Sequence, residues 1–358
     1  MDRAALDILL TALNLGERGG LEMKAGFIGT GSMGLPLASN ILDQEKSLVA
    51  YDINPEATAS LADKQGRIVN SPVEVANGSD IVFACMPSIE SFRTIVAGDE
   101  GVIHGTQMKT FINLGTMGTE ALAEMEATLA EKGIPVLDSP ITGGVQRAWD
   151  KDITVITSGP QAVYEQAEPF LKSFARDIHY VGDKVGQAQI TKICNNIMSF
   201  TNMIIGLEAL TMASKAGVDP NKVINVINSG SGQNSATLSK IPKFVMTRDF
   251  NMEAPMHIIA KDAMLWRMES ERLEVPQNVA SATYQTLQQA LAMGMRGSDF
   301  SEIIKVIERA AHFELPKSGG LGARDDGSRT LFHFGLTTVL DRDAGTRSEE
   351  LAVYAAAS

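Results

Sequence analysis

Cysteine and histidine are scarce in this sequence, with only two and five occurrences among 358 residues. Cys85 and Cys194 lie in the apolar runs IVFACMP and TKICNNIM. This setting favours buried free thiols in a reducing compartment over a disulfide or a reactive thiol. The histidines form neither an HxxH nor an HExxH pair, so the sequence predicts no metal site.

The sequence also lacks a net positive charge and long apolar runs. A formal net charge of −12 argues against non-specific binding to nucleic acid or to an acidic membrane surface. No uninterrupted apolar run reaches the roughly 20 residues that span a bilayer. Residues 1–22 resemble a signal peptide only weakly, because Asp2 and Asp7 interrupt its pattern and no A-x-A cleavage site follows. We interpret them as an extension before Met23, and we expect a cytoplasmic protein.

Apolar segments alternate with helical patterns in residues 23–185, and six of them have the pattern of strands: AGFIG, SLVAYDI, DIVFACMP, TFINLG, PVLDSPI and ITVITSG. This alternation predicts an α/β fold with a Rossmann-like, mostly parallel sheet. Beyond it, a proline-free run of about thirty residues, ending at Gly217, predicts a long helix. That helix joins the sheet domain to an all-α domain at 186–315. Residues 316–358, rich in glycine and charge, are predicted to be a poorly ordered tail.

A G-x-G-x-x-G motif follows the first predicted strand and opens a helical pattern. In such a motif one glycine permits the tight turn, one lets a pyrophosphate approach the backbone, and one lets the helix pack against the sheet. The predicted cofactor-binding residues of this loop are Gly29, Thr30, Gly31, Ser32, Met33 and Gly34. Asp52 ends the second strand about twenty residues on, where a carboxylate can accept the ribose hydroxyls and repel a 2′-phosphate. The motif therefore predicts NAD, with NADP as the alternative. Without a cofactor role, the glycines could form an ordinary turn, and Asp52 could merely cap a turn.

Two further segments lie where ligands bind in open α/β sheets. Met86 and Pro87 end the third predicted strand, at the carboxyl edge of the sheet, although Pro87 could also simply terminate that strand. In DSPITGG, Thr142, Gly143 and Gly144 offer a hydroxyl and accessible amides that suit a carboxylate. A plain glycine turn is the alternative for the second segment.

Lys192 and Asn196 are spaced i, i+4 near the start of the long helix and so share a face. The rest of that face is apolar or small. Burial at a domain junction would lower the pKa of a lysine from about 10.4 towards neutrality, which suits a general acid/base. On spacing alone, a lysine that extends its ammonium group to solvent explains the pattern as well.

Taken together, the order GFIGTGSMG, YDINPEA, MPS, DSPITGG, GQAQITKICNN and IIAKDAMLW resembles the β-hydroxyacid dehydrogenase family, to which 3-hydroxyisobutyrate dehydrogenase and tartronate semialdehyde reductase belong. The resemblance covers about Met23 to Leu315. It implies that Lys192 is the catalytic lysine and that Asn196 positions the substrate. It further implies that Thr142, Gly143 and Gly144 bind the substrate carboxylate, and that the cofactor is contacted by Thr116 and Lys261.

The resemblance implies reversible hydride transfer between NAD and a small β-hydroxyacid, in a homodimer or homotetramer. Gly115 and Thr142 stand where serines are common, and Gln233 where an arginine is found, so the choice of substrate remains open. A reductase of larger semialdehydes or of imines is the main alternative. A cofactor-binding scaffold without activity is less favoured, because the lysine is present.

Overall fold

The computed structural model describes residues 23–318, in which a sheet-containing region is followed by a helical one. The predictions of an N-terminal extension at 1–22 and of a poorly ordered tail lie outside the described residues, except for 316–318. There the Ser318 amide donates to the Met246 carbonyl at 3.0 Å, so the chain still lies against the helical region.

Residues 23–318 contain nine strands in one sheet: β1 (Ala25–Ile28), β2 (Val49–Tyr51), β3 (Arg67–Ile68), β4 (Ile81–Ala84), β5 (Thr110–Asn113), β6 (Val136–Asp138), β7 (Ile141–Thr142), β8 (Ile153–Ser158) and β9 (Ala175–Gly182). The first six are parallel in the order 3-2-1-4-5-6, which is that of a Rossmann fold. β8 is antiparallel to β6 and β7, and β9 is parallel to β8. The predicted fold class is confirmed; β3, β7 and β9 were not predicted.

The α-helices of the described residues are α1 (Gly34–Glu45), α2 (Ala59–Asp63), α3 (Pro72–Gly78), α4 (Ile89–Ala97), α5 (Thr119–Ala130), α6 (Val145–Trp149), α7 (Gln161–Leu171), α8 (Gln187–Lys215), α9 (Pro220–Ser229), α10 (Met256–Arg272), α11 (Asn278–Ala292) and α12 (Ile304–Ala311). Short 3₁₀ helices occupy Pro55–Thr58, Val102–His104 and Phe300–Ile303. α8 is the predicted long helix, and the elements after it in the described residues are helical. The domain bounds 23–185 and 186–315 remain predictions.

The central parallel strands β1 and β4 are buried on both faces by alternating side chains. Phe27 of β1 and its partner Phe83 of β4 belong to one apolar cluster, with ring centroids 6.4 Å apart. Ile28 and Val82 belong to the cluster on the opposite face. A strand covered on both sides reads as a continuous apolar run, and this is why β1 and β4 could be recognised from the sequence.

Helix α8 is the central element of the helical region. Gly217 follows its end at Lys215; the φ of +89° at this glycine and the hydrogen bond from its amide to the Ser214 carbonyl are typical of a glycine that terminates a helix. By length and a mean hydropathy of 1.3 over 18 residues α8 could span a membrane, but half of that window is buried against the protein. The helix also carries buried Gln189, Lys192 and Asn196. Buried polar side chains of this kind, bonded to neighbouring elements as described below, are those of a core helix.

A π-helix at Ala236–Val245 was not predicted. It contains Pro242, which has no amide hydrogen and cannot make the bond of a regular helix at that position. Its Ile241 is buried against α8, where a Cβ on Gly206 would lie 2.8 Å from the Ile241 Cδ1 atom. The absence of a side chain at Gly206 of α8 therefore allows the π-helix to pack closely against α8.

Candidate active site

The turn from β1 into α1 is shaped by two glycines that no other residue could replace without movement. Gly29 has a φ of +88°, and a Cβ there would lie 2.6 Å from the Cys85 carbonyl oxygen. A Cβ on Gly34 would lie 1.8 Å from the Gly29 carbonyl oxygen. The first turn of α1 therefore packs directly on the strand end, as the predicted motif requires.

Gly31 differs from these two glycines, because a Cβ there would meet no described atom within 4 Å. Beside it, the hydroxyl of Thr30 is buried without a hydrogen-bond partner among the described residues. Within the same part of the chain, no side chain caps α1 and no acidic residue lies in its first turn. Open space, an unpartnered hydroxyl and a free helix N-terminus suit a pyrophosphate, which Ser32 and Met33 would approach through their backbone.

Asp52 is held by backbone amides. Its Oδ2 accepts from the Thr30 amide at 2.7 Å and its Oδ1 from the Asn54 amide at 2.8 Å. The carboxylate therefore ties the glycine loop to the end of β2 and also caps the turn after it, as the structural reading expected. Each oxygen keeps a second lone pair that could accept a ribose hydroxyl, so the predicted cofactor role stays a prediction.

Met86 joins the glycine turn to the loop after β5. Its Cε atom lies 2.1 Å from where a Gly29 Cβ would be, and its carbonyl oxygen lies 3.0 Å from the Cβ position of Gly115. A serine at 115 would also crowd Met117, whose Cε is 2.4 Å from that position. Packing thus accounts for the glycine at 115, where the resemblance implies a serine, while Pro87 is exposed one residue beyond Met86.

The predicted carboxylate loop follows β7. Gly143 and Gly144 have φ values of +146° and +85°, a backbone region that favours glycine. The Thr142 hydroxyl accepts a long hydrogen bond of 3.4 Å from the Asn195 side chain on α8. The loop therefore contacts the helix that carries the predicted lysine.

Lys192 and Asn196 are buried neighbours on α8, each 8% exposed. Asn196 accepts a hydrogen bond from the Asn195 side chain at 3.2 Å, and its own Nδ2 donates to Asp262 at 2.7 Å. Asp262 lies on α10, so the asparagine pair bridges the predicted carboxylate loop and α10.

Lys261 completes the arrangement from α10. Its Nζ donates to the Thr116 carbonyl at 2.5 Å and lies 3.0 Å from Asp262 Oδ1. A single chain of polar contacts therefore runs from Thr142 through both asparagines, Asp262 and Lys261 to Thr116. It brings together the predicted substrate loop, the predicted catalytic helix and the loop predicted to lie near the nicotinamide.

The pKa of Lys192 is lowered to about 8. Burial is the largest cause, and the positive charges of Lys261 and Lys240 act in the same direction, while Asp262 opposes them. An amine with this pKa is present in both protonation states near neutral pH, as a group that takes up and returns a proton must be.

Two functional candidates were missed in the sequence. Gln189, fully buried one turn before Lys192, accepts from the amides of Met117 and Gly118 at 2.8 and 3.0 Å. Its Nε2 donates to Asp138 at 2.7 Å, and Asp138 also accepts from the Asn113 side chain at 3.0 Å. Burial raises the pKa of Asp138 to about 7 against these hydrogen bonds. The position of Gln189 one turn from Lys192 was the only available signal.

Both cysteines are free thiols, and burial raises the pKa of Cys85 to about 12 and also raises that of Cys194. Residues 23–318 contain no group of three histidine, cysteine, aspartate or glutamate side chains placed to hold a metal ion.

Two family models match adjacent parts of the chain. Residues 24–182 match the NAD binding domain of 6-phosphogluconate dehydrogenase. Residues 186–307 match the model described as NAD-binding of NADP-dependent 3-hydroxyisobutyrate dehydrogenase. The first match covers the sheet with its glycine turn, and the second covers α8 to α12 with Lys192 and Lys261.

Individual proteins resemble nearly the whole described region. The chain is 31% identical over 300 residues to 2-(hydroxymethyl)glutarate dehydrogenase of Eubacterium barkeri, covering 84% of this chain and 99% of that protein. It is 27% identical over 287 residues to L-threonate dehydrogenase of Cupriavidus necator, covering 80% and 96%. A solved structure of Mycobacterium tuberculosis 3-hydroxyisobutyrate dehydrogenase with L-serine has the same fold, with a TM-score of 0.73 at 23% identity over 80% of this chain and 99% of that one.

Proposed function

Because the chain belongs to the β-hydroxyacid dehydrogenase family, that of 3-hydroxyisobutyrate dehydrogenase, we propose that it interconverts a small β-hydroxyacid and its semialdehyde with Lys192 as general acid/base. That it is an NAD(P)-dependent oxidoreductase of hydroxyacids follows from the family itself. The proposal concerns the size of the substrate, the preferred cofactor and the role of each residue.

The observation that carries the proposal is the burial of Lys192 on α8, one turn before Asn196, which belongs to the chain of contacts from Thr142 to Thr116. Asn196 is fixed by Asp262 and can present its remaining hydrogen-bonding capacity to a substrate carboxylate next to Thr142, Gly143 and Gly144. Such placement orients the hydroxyl carbon of a short acid towards the loop of Thr116. A longer substrate would have to extend past Asn196 along α8.

In the oxidation direction, the neutral Lys192 amine takes the proton of the substrate hydroxyl. A bound NAD, held by the glycine turn at residues 29–34 and by Asp52, would supply the acceptor for the hydride from the same carbon. In the reduction direction, the Lys192 ammonium returns a proton to the carbonyl oxygen. Lys261 is held between Asp262 and the Thr116 carbonyl, which ties α10 to the loop after β5 and supports its predicted role next to a bound cofactor.

We favour NAD over NADP. Both Asp52 oxygens are fixed at the end of β2 by amides, so the negative charge cannot swing away from an adenosine 2′-phosphate. Residues Ile53, Asn54 and Pro55 that follow supply no cation for such a phosphate. Electrostatic repulsion would therefore weaken the binding of NADP.

A substrate panel assayed with both cofactors tests these assignments together. We expect activity on short 3-hydroxyacids such as 3-hydroxyisobutyrate, and a higher kcat/KM with NAD than with NADP. Activity confined to cyclic imines or to long-chain semialdehydes would replace the proposed substrate class, and no activity with any panel member would favour a scaffold. A tenfold or larger preference for NADP would show that Asp52 does not set the cofactor.

We further propose a homodimer or homotetramer assembled through α8. Met198, Ile205 and Met212 recur every seven residues on this helix and are 66%, 53% and 71% exposed. Such a stripe lies away from the Lys192 face and would be buried by a second copy. We expect analytical ultracentrifugation to give a dimer or tetramer, and an Ile205→Asp variant to lower its association; a monomeric wild type would contradict this. The free thiols suit a reducing compartment, and we place the enzyme in the cytoplasm.

A further inference from the structure

A third lysine, Lys240 of the π-helix, contacts the same face of α8 that carries Lys192. Its Nζ donates to the Ser199 hydroxyl at 2.6 Å. Ser199 follows Lys192 by seven residues and Asn196 by three, so all three α8 side chains point to the same side of the helix. The ammonium of Lys240 is therefore placed about one helical turn beyond Asn196, inside the candidate active site.

The charge of Lys240 is not neutralised by the protein. Among residues 23–318, no carboxylate forms an ion pair with it, and its only hydrogen-bond acceptor there is the neutral Ser199 hydroxyl. Lys240 is half-buried, so its ammonium is partly removed from water, and this burial lowers its pKa. Lys261, in contrast, is paired with Asp262 at 3.0 Å. A partly buried ammonium without a counter-ion is costly for a fold and is a common feature of anion-binding sites.

The position of Lys240 is fixed by core packing. It belongs to the π-helix Ala236–Val245, a rare element that occurs often at functional sites. Next to it, Ile241 is fully buried, and its Cδ1 lies 2.8 Å from where a Gly206 Cβ would be. Because the backbone is held against α8 in this way, the lysine is presented to the site without the freedom of a surface loop.

After the ion pair of the site is counted, the Lys240 ammonium is available to bind a second anionic group of the substrate. Lys192, Lys240 and Lys261 face a single carboxylate, Asp262, which already pairs with Lys261. The substrate's first carboxylate is assigned to Asn196 and the loop at Thr142. Ser199 lies about 4.5 Å further along the helix axis than Asn196, which is a separation of the order found between the two carboxylates of a short dicarboxylic acid.

We propose that Lys240, with Ser199, binds a second carboxylate of the substrate, so that the preferred substrates are short β-hydroxyacids bearing two carboxylates. This inference rests on the proposed function, because it extends the same substrate site. It adds a specificity residue and a chemical class that narrows the range of small hydroxyacids. Lys240 stays an ammonium donor to the distal carboxylate and takes no part in proton transfer.

The test compares a matched pair of substrates. 3-Hydroxyisobutyrate carries a methyl group where 2-(hydroxymethyl)succinate carries a carboxymethyl group, so the two differ in the distal carboxylate; 2-(hydroxymethyl)glutarate extends it by one methylene. We expect wild-type kcat/KM to be at least tenfold higher for one of the dianions. In Lys240→Gln this ratio should fall towards one, whereas Lys240→Arg should keep part of it.

Lys243→Gln is the control, because Lys243 lies on the same π-helix but is exposed and contacts the Phe244 ring. It should retain the wild-type ratio. Each ratio is measured on one preparation, so partial misfolding of a variant cancels. A wild type that oxidises 3-hydroxyisobutyrate with no preference for either dianion overturns this inference alone, as does a Lys240→Gln variant that retains the preference. If neither type of acid is oxidised, the proposed function fails instead.

Discussion

Replacing Lys192 with alanine should lower kcat by about 10²–10⁴-fold, the range expected when a positioned general acid/base is lost. Binding of NADH should change little, because Lys192 lies on α8 beside Asn196 and near the charges of Asp262 and Lys261, and is not part of the glycine turn. Lys192→Arg should not restore activity, since a guanidinium stays protonated and cannot take the proton of a hydroxyl. Steady-state rates on 3-hydroxyisobutyrate and a fluorescence titration with NADH measure the two effects separately.

The matched control for this substitution is Lys215→Ala, at the exposed last turn of the same helix. It should leave kcat near the wild-type value. If Lys192→Ala keeps more than about a tenth of wild-type kcat while a deuterium isotope effect shows that hydride transfer limits the rate, Lys192 is not the acid/base. Lys261 would then be the remaining candidate in this site.

The lowered pKa of Lys192 gives the same prediction a pH signature. Oxidation needs the neutral amine, so its rate should rise with pH through about 8 and then level off. Reduction needs the ammonium, so its rate should fall as pH rises through the same range. Both pH dependences, the rise in oxidation and the fall in reduction, should be missing from the residual activity of Lys192→Ala. If the same pH dependences persist in that variant, a group other than Lys192 is titrating.

Replacing Gly31 with valine should weaken NADH binding by about 10²-fold, or about 2.8 kcal/mol, while the fold is retained. A Cβ at this position meets no described atom within 4 Å, so the protein has room for the side chain and the pyrophosphate does not. Thermal unfolding without cofactor should therefore match the wild type. An NADH titration that gives the wild-type Kd would show that the pyrophosphate does not lie at this turn.

Two other glycines supply the comparison. Gly297 also has open space at its Cβ position but lies in the helical region, so Gly297→Val should change neither stability nor NADH binding. Gly34→Val should lower the unfolding temperature, because a Cβ there would lie 1.8 Å from the Gly29 carbonyl oxygen. The motif glycines are thus expected to separate into one that serves the ligand and one that serves the fold.

The strands that were not predicted share a physical explanation. β3 and β7 are two residues long, too short to show any period. β9 has eight residues, but it borders the sheet and is largely accessible to solvent, so charged and apolar side chains mix along it. The π-helix was missed because Pro242 interrupts the sequence pattern of a regular helix. A periodic pattern of apolar residues arises where one face of a regular element is buried. These elements are too short, too exposed or too irregular to show such a pattern.

Within the site, the sequence by itself determined which groups are predicted to carry chemistry and in what order they occur. The glycine motif with Asp52, the TGG loop and the Lys192–Asn196 pair depend on local spacing, since turns and helix faces are set by neighbours in the chain. The α/β class and the long helix α8 were determined in the same way, by runs whose apolar pattern is long enough to be read.

Only the tertiary structure decided how these groups act on one another. Gln189 meets Asp138 across 51 residues, Asn196 meets Asp262 across 66, and Lys261 meets Thr116 across 145. The lowered pKa of Lys192, and the position of Lys240 without a paired carboxylate among residues 23–318, likewise depend on burial and on charges distant in sequence. A local sequence pattern cannot predict such contacts. The packing of the sheet-containing region against the helical region decides which side chains are buried and which hydrogen-bond or ionic partners they contact.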